Sequence, residues 1–437
     1  MEIGRARPAA GAGTVSLDWY RTLAPSARRA FWASAGGWAL DSFDYQALSL
    51  GLVAIAAAFH LTANQQSILG AVILIVSAAG GVGAGMVADR IGRVRTLMLT
   101  VGLYSVFTFL SGFAQNYTQL MIFRSLQGLG FGGEWAAGAI LIAELSDPAQ
   151  RGRVLGWIQS FWAVGWGLAA IAFVVVYKAF GSGVGWRVLF WLGILPALLL
   201  LYIRSRVPEP EVFTETQRAR MAHTPEVVQR HADRPSIVQI FMSDLLPVTI
   251  PAALLASGAQ GGYYAIFFWL PKYLLTVRHL NFLDTGGNLF FVIAGAFCGY
   301  ITSAYFNDAL GRRRTFGLFA IVSAIMVVLY TQLPASVAVI LPVLGFILGF
   351  TASGIFSGFG SYLAELYPSR ARGAGQGFCY NFGRAFGGGL GLLLVGAVSV
   401  KTGLAVAIAF AAVAYAVCVI SLFFLPETRG KALVAVD

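Results

Sequence analysis

Long apolar runs alternate with short polar turns along most of this 437-residue chain. A run of about 20 apolar residues is long enough for one helix to cross a bilayer, and the pattern predicts twelve such helices. The chain is therefore predicted to be an all-α integral membrane protein with twelve transmembrane helices. The predicted spans are residues 31–59, 66–88, 96–114, 119–144, 154–178, 187–204, 244–274, 286–307, 315–333, 336–363, 373–399 and 403–425.

Two charged turns of the first half recur in the second half at nearly the same spacing. Asp89 and Asp308 are 219 residues apart, and Glu144 and Glu365 are 221 residues apart. A repeat of this length indicates that a six-helix block has been used twice, the plan of a rocker-type transporter. The predicted organisation is a cytosolic N-terminal segment (1–30), two six-helix halves (31–204 and 244–425), a cytosolic linker between them (205–243) and a cytosolic tail (426–437).

Composition excludes a soluble protein and a nucleic-acid-binding protein. The chain is 58% hydrophobic and only 11% charged, whereas soluble domains carry about 25% charged residues. The net charge of +11 follows the topology, because 23 Lys and Arg fall on the face that carries the N-terminus and 5 on the opposite face. The positive-inside rule then places both termini in the cytoplasm. We expect a multi-pass protein of a bacterial inner membrane or a plasma membrane, with lipid around it and no nucleic-acid partner.

Carboxylates inside the first and fourth spans are candidates for proton coupling. Asp41 and Asp44 are three residues apart and share one helical face, and Glu134 lies within the fourth span. An ionised carboxylate at the bilayer centre costs about 2.5–3.5 kcal/mol, and burial disfavours its charged form, which suits a proton carrier. Pairing with a nearby arginine is the alternative role for each of them.

Arg384, near the middle of the eleventh span, is the candidate anion-binding residue. A guanidinium group matches a carboxylate through two parallel hydrogen bonds. The alternative is a static ion pair with Glu134 or Asp41. Polar and aromatic residues of three spans complete the predicted substrate site, although aromatic side chains in membrane helices usually face lipid or neighbouring helices. These residues are Asn381, Tyr380, Gln159, Trp162, Gln260, Tyr263 and Tyr264.

The charged turns are predicted to act as gates. The positive-inside rule accounts for Lys and Arg there but not for acidic residues, so the charges can also bridge the two halves; simple topogenic charge is the alternative. The predicted gate residues are Asp89, Arg90, Arg93, Glu144, Arg153, Asp308, Arg312, Glu365 and Arg372. Neither a metal-ligand cluster nor a nucleophile–base pair is evident, so we expect no metal, no cofactor and no enzymatic activity.

The turn Gly85-x-x-x-Asp89-Arg-x-Gly-Arg93 resembles the inner loop between helices two and three of the major facilitator superfamily. Three further motifs strengthen the resemblance, which covers residues 28–431: Asp308-x-x-Gly-Arg-Arg-Arg, Pro208-Glu-Pro-Glu211 and Pro426-Glu-Thr-Arg-Gly430.

Within that superfamily, several short motifs resemble the sialate and lactate proton symporters. They are Trp19-Tyr20, Trp38-Ala-Leu-Asp41-Ser-Phe-Asp44 and Gly132-Gly-Glu-Trp135. The Asp-x-x-Asp of the first span also resembles the aromatic acid:proton symporters. Both branches imply proton-driven uptake of a carboxylate and an Arg124 that faces the acidic residue of the first span. The alternative for Arg124 is a snorkelling side chain at the outer interface.

These features together predict a proton-coupled symporter that works by alternating access, as a functional monomer. The predicted substrate is a small organic anion: a monocarboxylate, an aromatic acid or aromatic-catabolism product, or sialate. A neutral sugar or polyol symporter is one alternative, disfavoured because the seventh span has Ser257-Gly-Ala-Gln260-Gly-Gly and lacks the Gln-Gln-x-x-Gly pattern of sugar porters. A substrate sensor on the same scaffold is another, disfavoured because such proteins usually carry long cytosolic extensions.

Overall fold

The computed structural model describes residues 18–145, 151–207, 236–334, 339–368 and 371–429, apart from the side chains of a few of them. Within these residues, the N-terminal half has seven helices. They are α1 (Asp18–Thr22), α2 (Pro25–Phe59), α3 (Ala63–Ile91), α4 (Arg93–Ser111), α5 (Tyr117–Leu145), α6 (Arg151–Leu192) and α7 (Pro196–Arg206). Most of the predicted linker, residues 208–235, lies outside the described residues, as do parts of both terminal segments.

The C-terminal half contains more helix breaks than the N-terminal half. A 3₁₀ turn (Ile355–Gly358) and a π-helical turn (Gly383–Gly388) interrupt two of its crossings. Its α-helices are α8 (Ser236–Gln239), α9 (Leu246–Phe267), α10 (Leu270–Thr276), α11 (Phe282–Leu310), α12 (Arg312–Gln332), α13 (Leu341–Gly354), α14 (Phe359–Leu366), α15 (Arg372–Phe382), α16 (Gly389–Thr402), α17 (Leu404–Ala409) and α18 (Ala411–Phe423).

The helices account for the twelve predicted crossings. Nine stretches of the described residues are long and apolar enough to span a membrane. One of them, Val154–Arg206, supplies two crossings, because Gly181 breaks the helix at φ 70° and ψ 174°. Helix α5 and the consecutive pair α9 and α10 supply the other two. We call the side where α2 begins and α18 ends the terminal face, and the opposite side the far face.

The repeat seen in the sequence is present in the backbone. Gly92 joins α3 to α4 with φ 108° and ψ 161°, and Gly311 joins α11 to α12 with φ 93° and ψ 162°. These two glycines are 219 residues apart, as the two aspartates of the charged turns are. A positive φ of this kind is accessible mainly to glycine, so the same residue type forms the same turn in both halves.

Glycine rows allow close helix contacts. A side chain at Gly128 or Gly132 of α5 would collide with the carbonyl oxygens of Ile73 and Ser77 on α3. In the C-terminal half, Gly387 likewise lies against the backbone of α9. These contacts fix the helices that carry the central polar residues.

The two halves meet closely at the far face. The Ser49 hydroxyl on α2 donates a hydrogen bond to the carbonyl oxygen of Phe268 at 2.7 Å. The Lys272 ammonium on α10 donates to Gln66 Oε1 on α3 at 2.6 Å. The Phe268 ring also fills the space that a side chain at Gly70 would need. The far side of the central region is therefore closed by contacts between the halves.

Candidate transport site

A small internal cavity lies between the two halves at the centre of the helix bundle. Its volume is about 20 Å³, which is room for about one water molecule. A carboxylate substrate needs more space, so the walls must separate before one can bind. Both halves line the cavity, with Trp38, Gln159 and Trp162 from the first and Tyr263, Tyr264, Tyr300, Phe356 and Tyr380 from the second.

Aromatic contacts across the cavity hold the halves together. The Trp162 indole N–H donates a hydrogen bond to the Tyr263 hydroxyl at 2.7 Å. Within the N-terminal half, Trp162 also packs on Trp38, with ring centroids 4.9 Å apart. On the side toward the far face, the ring centroids of Tyr45 and Tyr264 are 5.2 Å apart. Opening the cavity therefore requires the Trp162–Tyr263 hydrogen bond and the Tyr45–Tyr264 ring contact to be broken.

Arg384 lies beside this cavity, in the π-helical turn that follows α15. It is fully buried, with 1% of its surface exposed. Its guanidinium group lies over the rings of Phe131 at 4.9 Å and Tyr380 at 5.3 Å. Among the described residues, its Nε and Nη1 have no hydrogen-bond partner. This arrangement leaves N–H donors that can bind an anion in a dry aromatic setting.

Asp41 and Glu134 form a buried carboxyl pair close to Arg384. The two carboxyl groups interact electrostatically, and neither Asp41 oxygen has a hydrogen-bond partner among the described residues. Gly37 makes room for the pair, because a side chain there would overlap the Glu134 carboxyl group. Arg384 interacts electrostatically with both acids, yet no ion pair within 4.0 Å joins it to either, so the static ion pair considered for Arg384 is wrong for this conformation.

Asp44 belongs to a second polar cluster. Thr108 on α4 donates a hydrogen bond to Asp44 Oδ2 at 3.0 Å, and Arg124 Nη2 reaches the Asp44 backbone oxygen at 3.4 Å. The Arg124 guanidinium group is fully buried and lies 5.2 Å from the Phe190 ring. Arg124 is therefore not a snorkelling interface residue. Asp41 and Asp44 have different nearest partners, although their carboxyl groups also interact electrostatically.

Two residues predicted to bind substrate do not line the cavity in this conformation. Gln260 donates to the carbonyl oxygen of Tyr380 at 2.7 Å. Asn381 donates to the carbonyl oxygen of Gly377 at 3.0 Å and lies against Gly81 of α3. Neither side chain lines the central cavity, whereas Gln159, Trp162, Tyr263, Tyr264 and Tyr380 do.

The described gate residues interact within the C-terminal half. Arg312 pairs with Glu365 at 2.8 Å and with Asp308 at 3.2 Å, and Thr428 donates to Glu365 at 2.5 Å. Arg372 donates to the carbonyl oxygen of Ala364 at 3.1 Å. In this conformation these contacts tie α11, α12, α14 and residues 426–429 together. The side chains of Asp89, Arg90, Arg93, Glu144 and Arg153 lie outside the described part of the chain.

Three cavity residues were not predicted from the sequence as site residues: Trp38, Tyr300 and Phe356. Trp38 had a usable signal, because it lies one turn before Asp41 and so shares its helical face. Tyr300 and Phe356 had none that separates them from the many other aromatic residues of the apolar runs.

Two helical halves that enclose a central polar site are the architecture of an alternating-access membrane transporter. The family model described as Major Facilitator Superfamily matches residues 35–305 and 289–436. The chain therefore belongs to that superfamily of membrane transporters. This result confirms the predicted family, the twelve-helix fold, a multi-pass membrane location and a transporter role in place of an enzymatic one.

Relatives and a solved structure agree with this assignment. A Cupriavidus pinatubonensis protein named "Probable 4-methylmuconolactone transporter" is 41% identical over 416 residues, covering 95% of this chain and 94% of that protein. The Acinetobacter baylyi "Cis,cis-muconate transport protein" is 28% identical over 396 residues, covering 89% of this chain and 92% of that protein. The crystal structure of a D-xylose-proton symporter has a TM-score of 0.72 at 19% identity, covering 93% and 99%, which supports the fold alone.

Proposed function

We propose that this protein is a proton-coupled symporter that imports a small unsaturated organic acid by alternating access. The observation that carries the proposal is Arg384, a buried guanidinium group with free N–H donors beside a cavity walled by aromatic rings. A substrate carboxylate would complete its hydrogen bonds, and the rings would pack on a flat carbon skeleton. A carboxylate is the natural partner for a desolvated guanidinium group.

The names of the relatives support a substrate derived from ring cleavage of an aromatic compound. Muconate is a conjugated dicarboxylate, and a muconolactone retains one carboxylate next to a flat lactone ring. Either molecule offers an anionic end for Arg384 and an unsaturated part for Trp38, Trp162 and Tyr264. Sialate is bulkier and more heavily hydroxylated, so it suits these walls less well.

Two buried carboxyl clusters are proposed to carry the protons. The Asp41–Glu134 pair is proposed to hold one proton between its two carboxyl groups, and it lies near the anion-binding Arg384. Asp44 with Arg124 forms the second cluster. Binding of the substrate anion to Arg384 would withdraw positive charge from the Asp41–Glu134 pair and favour its protonation, which couples the two ligands in thermodynamic terms.

The orientation and location are proposed from the distribution of charge. The excess of Lys and Arg on the terminal face supports a cytoplasmic location for both termini and for the linker, in a bacterial inner membrane. The far face then opens to the outside of the cell, where the contacts of Lys272 and Phe268 must break to admit substrate. The two six-helix halves, 31–204 and 244–425, are proposed to rock as units, and one monomer contains the whole site.

The test is uptake by purified protein in proteoliposomes under an imposed pH gradient. The panel contains cis,cis-muconate, 4-methylmuconolactone, benzoate, lactate, sialate and D-xylose. We expect accumulation of the muconate-type acids, driven by an inward proton gradient and abolished by a protonophore. Accumulation of D-xylose alone would instead identify a neutral-sugar symporter. Binding of an acid without any flux would identify a sensor.

A further inference from the structure

The terminal face of the C-terminal half carries a groove that the transport site does not use. It has a volume of about 540 Å³, within the range of small-molecule sites. The start of α12 and the end of α18 form its walls, and Leu310 and the Pro426–Arg429 segment close one end. Its lining residues are Leu310, Arg313, Arg314, Gly317, Val419, Leu422, Phe423, Glu427 and Arg429.

One end of the groove is strongly basic. Arg313, Arg314 and Arg429 face it, against a single acid, Glu427. The Glu427 carboxylate is already occupied, because it accepts hydrogen bonds from the backbone N–H groups of Arg312 and Arg313 at 2.9 and 3.0 Å. Toward the other residues that the structure describes, the three guanidinium groups make no side-chain hydrogen bond or ion pair. The basic end can therefore accept an anion from outside the protein.

The other end of the groove is apolar and continues along the helix sides. Val419 and Leu422 form its floor, and Phe423 is 74% exposed next to them. Gly317 leaves a gap in the α12 wall, since a side chain there would come no closer than 3.7 Å to Leu422. A soluble anion would gain nothing from this surface, whereas an acyl chain would cover it.

We propose that this groove binds an anionic phospholipid, with the phosphate at Arg313, Arg314 and Arg429 and the upper acyl chain along Gly317, Val419 and Phe423. Charge complementarity and the apolar continuation at the membrane border select a lipid. Basic pockets between membrane helices commonly hold anionic headgroups. The lipid would also lie against Glu427. The carboxylate of Glu427 accepts hydrogen bonds from the backbone at the start of α12, beside the Arg312–Glu365 pair.

The experiment measures binding of short-chain lipids to the purified full-length protein in neutral detergent, by thermal shift. Dioctanoyl phosphatidylglycerol is compared with dioctanoyl phosphatidylcholine and with glycerol 3-phosphate. We expect saturable stabilisation by phosphatidylglycerol alone. Arg314→Gln should weaken its binding about five-fold, and the double change with Arg313→Gln should weaken it further, since each cation near a membrane surface contributes about that factor.

Two variants, each with a matched control, distinguish a specific lipid site in the groove from a general effect of surface charge. Gly317→Leu fills the apolar end without changing any charge, and we expect it to weaken phosphatidylglycerol binding as well. Its control is Gly102→Leu on α4, where a new side chain would also meet a leucine at 3.7 Å. The control for Arg314→Gln is Arg204→Gln, an exposed arginine at the terminal face outside the groove. Both controls should bind like the wild type.

Three outcomes would overturn the lipid site. Equal binding of glycerol 3-phosphate would reduce it to a free-anion site. Equal binding of phosphatidylcholine would remove the role of the arginines. Equal losses in Arg204→Gln and Arg314→Gln would assign the effect to surface charge. If Arg314→Gln fails to fold, the comparison of Gly317→Leu with Gly102→Leu still decides the question.

Discussion

Arg384 is a charged residue in an apolar environment whose nearest acids do not pair with it. A buried guanidinium group is costly when its donors are unsatisfied. The aromatic faces of Phe131 and Tyr380 compensate part of that cost through cation–π contact. The remaining donors are the reason to expect an anionic ligand at this point.

Substitution of Arg384 tests that role directly. Arg384→Lys keeps the charge but loses the planar pair of donors, so substrate affinity should fall about 10- to 150-fold, the equivalent of one charge-assisted hydrogen bond. Arg187→Lys is the control, because Arg187 binds the carbonyl oxygens of Gly112 and Ala114 away from the site. Calorimetry on the purified proteins measures both affinities. Wild-type affinity in Arg384→Lys would make Arg384 a structural residue.

Asp44 and Asp41 give separable predictions, because they belong to different clusters. Asp44→Asn removes the acid that Thr108 and Arg124 surround, so uphill accumulation of substrate should be lost while substrate exchange remains. Exchange needs no net change of protonation. Asp41→Asn leaves Glu134 able to hold a proton, so its loss of accumulation should be smaller. Uptake and counterflow in proteoliposomes measure the two activities, and normal accumulation in both variants would transfer the coupling role to Glu134.

The sequence identified the charged members of the site but not their grouping. Asp41, Asp44, Arg124, Glu134 and Arg384 are conspicuous because charge is rare within apolar runs. Which acid faces which arginine depends on the rotation and tilt of α2 against α4 and α5, and periodicity alone does not determine those. Tyr300 and Phe356 were not predicted for a related reason, because aromatic residues occur on every face of these helices.

At the scale of elements, the turn between α11 and α12 is held from two sides. Arg312 pairs with buried Glu365 and with Asp308, whose side chain is 60% exposed. An exposed pair contributes about 0–1 kcal/mol, whereas a charge-assisted hydrogen bond in a buried setting contributes about 1.5–3 kcal/mol. The Glu365 pair therefore contributes more stability to the turn than the Asp308 pair, although both acids are predicted gate residues.

We expect Glu365→Gln to change transport turnover several-fold and Asp308→Asn to change it less. Substrate affinity should stay the same in both, because the turn lies at the terminal face and the cavity lies at the centre. Initial uptake rates at saturating substrate, together with binding by calorimetry, separate the two quantities. A loss of affinity at constant turnover would contradict a gating role.

Glu427 links the chain after α18 to the start of α12. Partial burial alone would raise its pKa, but hydrogen bonds from the backbone N–H groups of Arg312, Arg313, Arg429 and Thr428 outweigh burial and hold its pKa below its usual range. A depressed pKa means that the carboxylate stabilises the folded state above its usual pKa and that this stability is lost as the pH falls through the depressed value.

Glu427→Gln should therefore lower the Tm at neutral pH, where the ionised acid stabilises the fold. The difference between variant and wild type should shrink as the pH falls through the depressed pKa, because the wild-type acid becomes neutral too. Thermal melts in detergent across that pH range measure the Tm difference between the variant and the wild type. A Tm difference that grows in acid would show that Glu427 acts through something other than its charge.

Element bounds were predictable where caps and apolar runs are strong. Span one was predicted at 31–59 and α2 ends at Phe59; the capping box of Thr62 and Gln65 then begins α3. The π-helical turn at Gly383–Gly388 had no such signal. Glycines at this spacing are compatible with a close helix contact and also with a helical bulge. Only the packing of this turn against α9 shows which of the two is formed.

At the scale of the whole molecule, the bias of Lys and Arg toward the terminal face predicts that the far face is extracellular. In a variant lacking Cys298, Cys379 and Cys418, a membrane-impermeant maleimide should label Lys401→Cys in intact cells. Arg204→Cys at the terminal face should react only after the membrane is opened. The reverse pattern would invert the topology.

The 20 Å³ cavity also bears on how a cell tolerates many copies of such a protein. Protons cross membranes rapidly along continuous files of hydrogen-bonded water, and a centre with room for about one molecule interrupts any such file. We therefore expect this conformation to conduct protons poorly in spite of its buried acids, so that idle copies of the protein do not dissipate the cell's proton gradient.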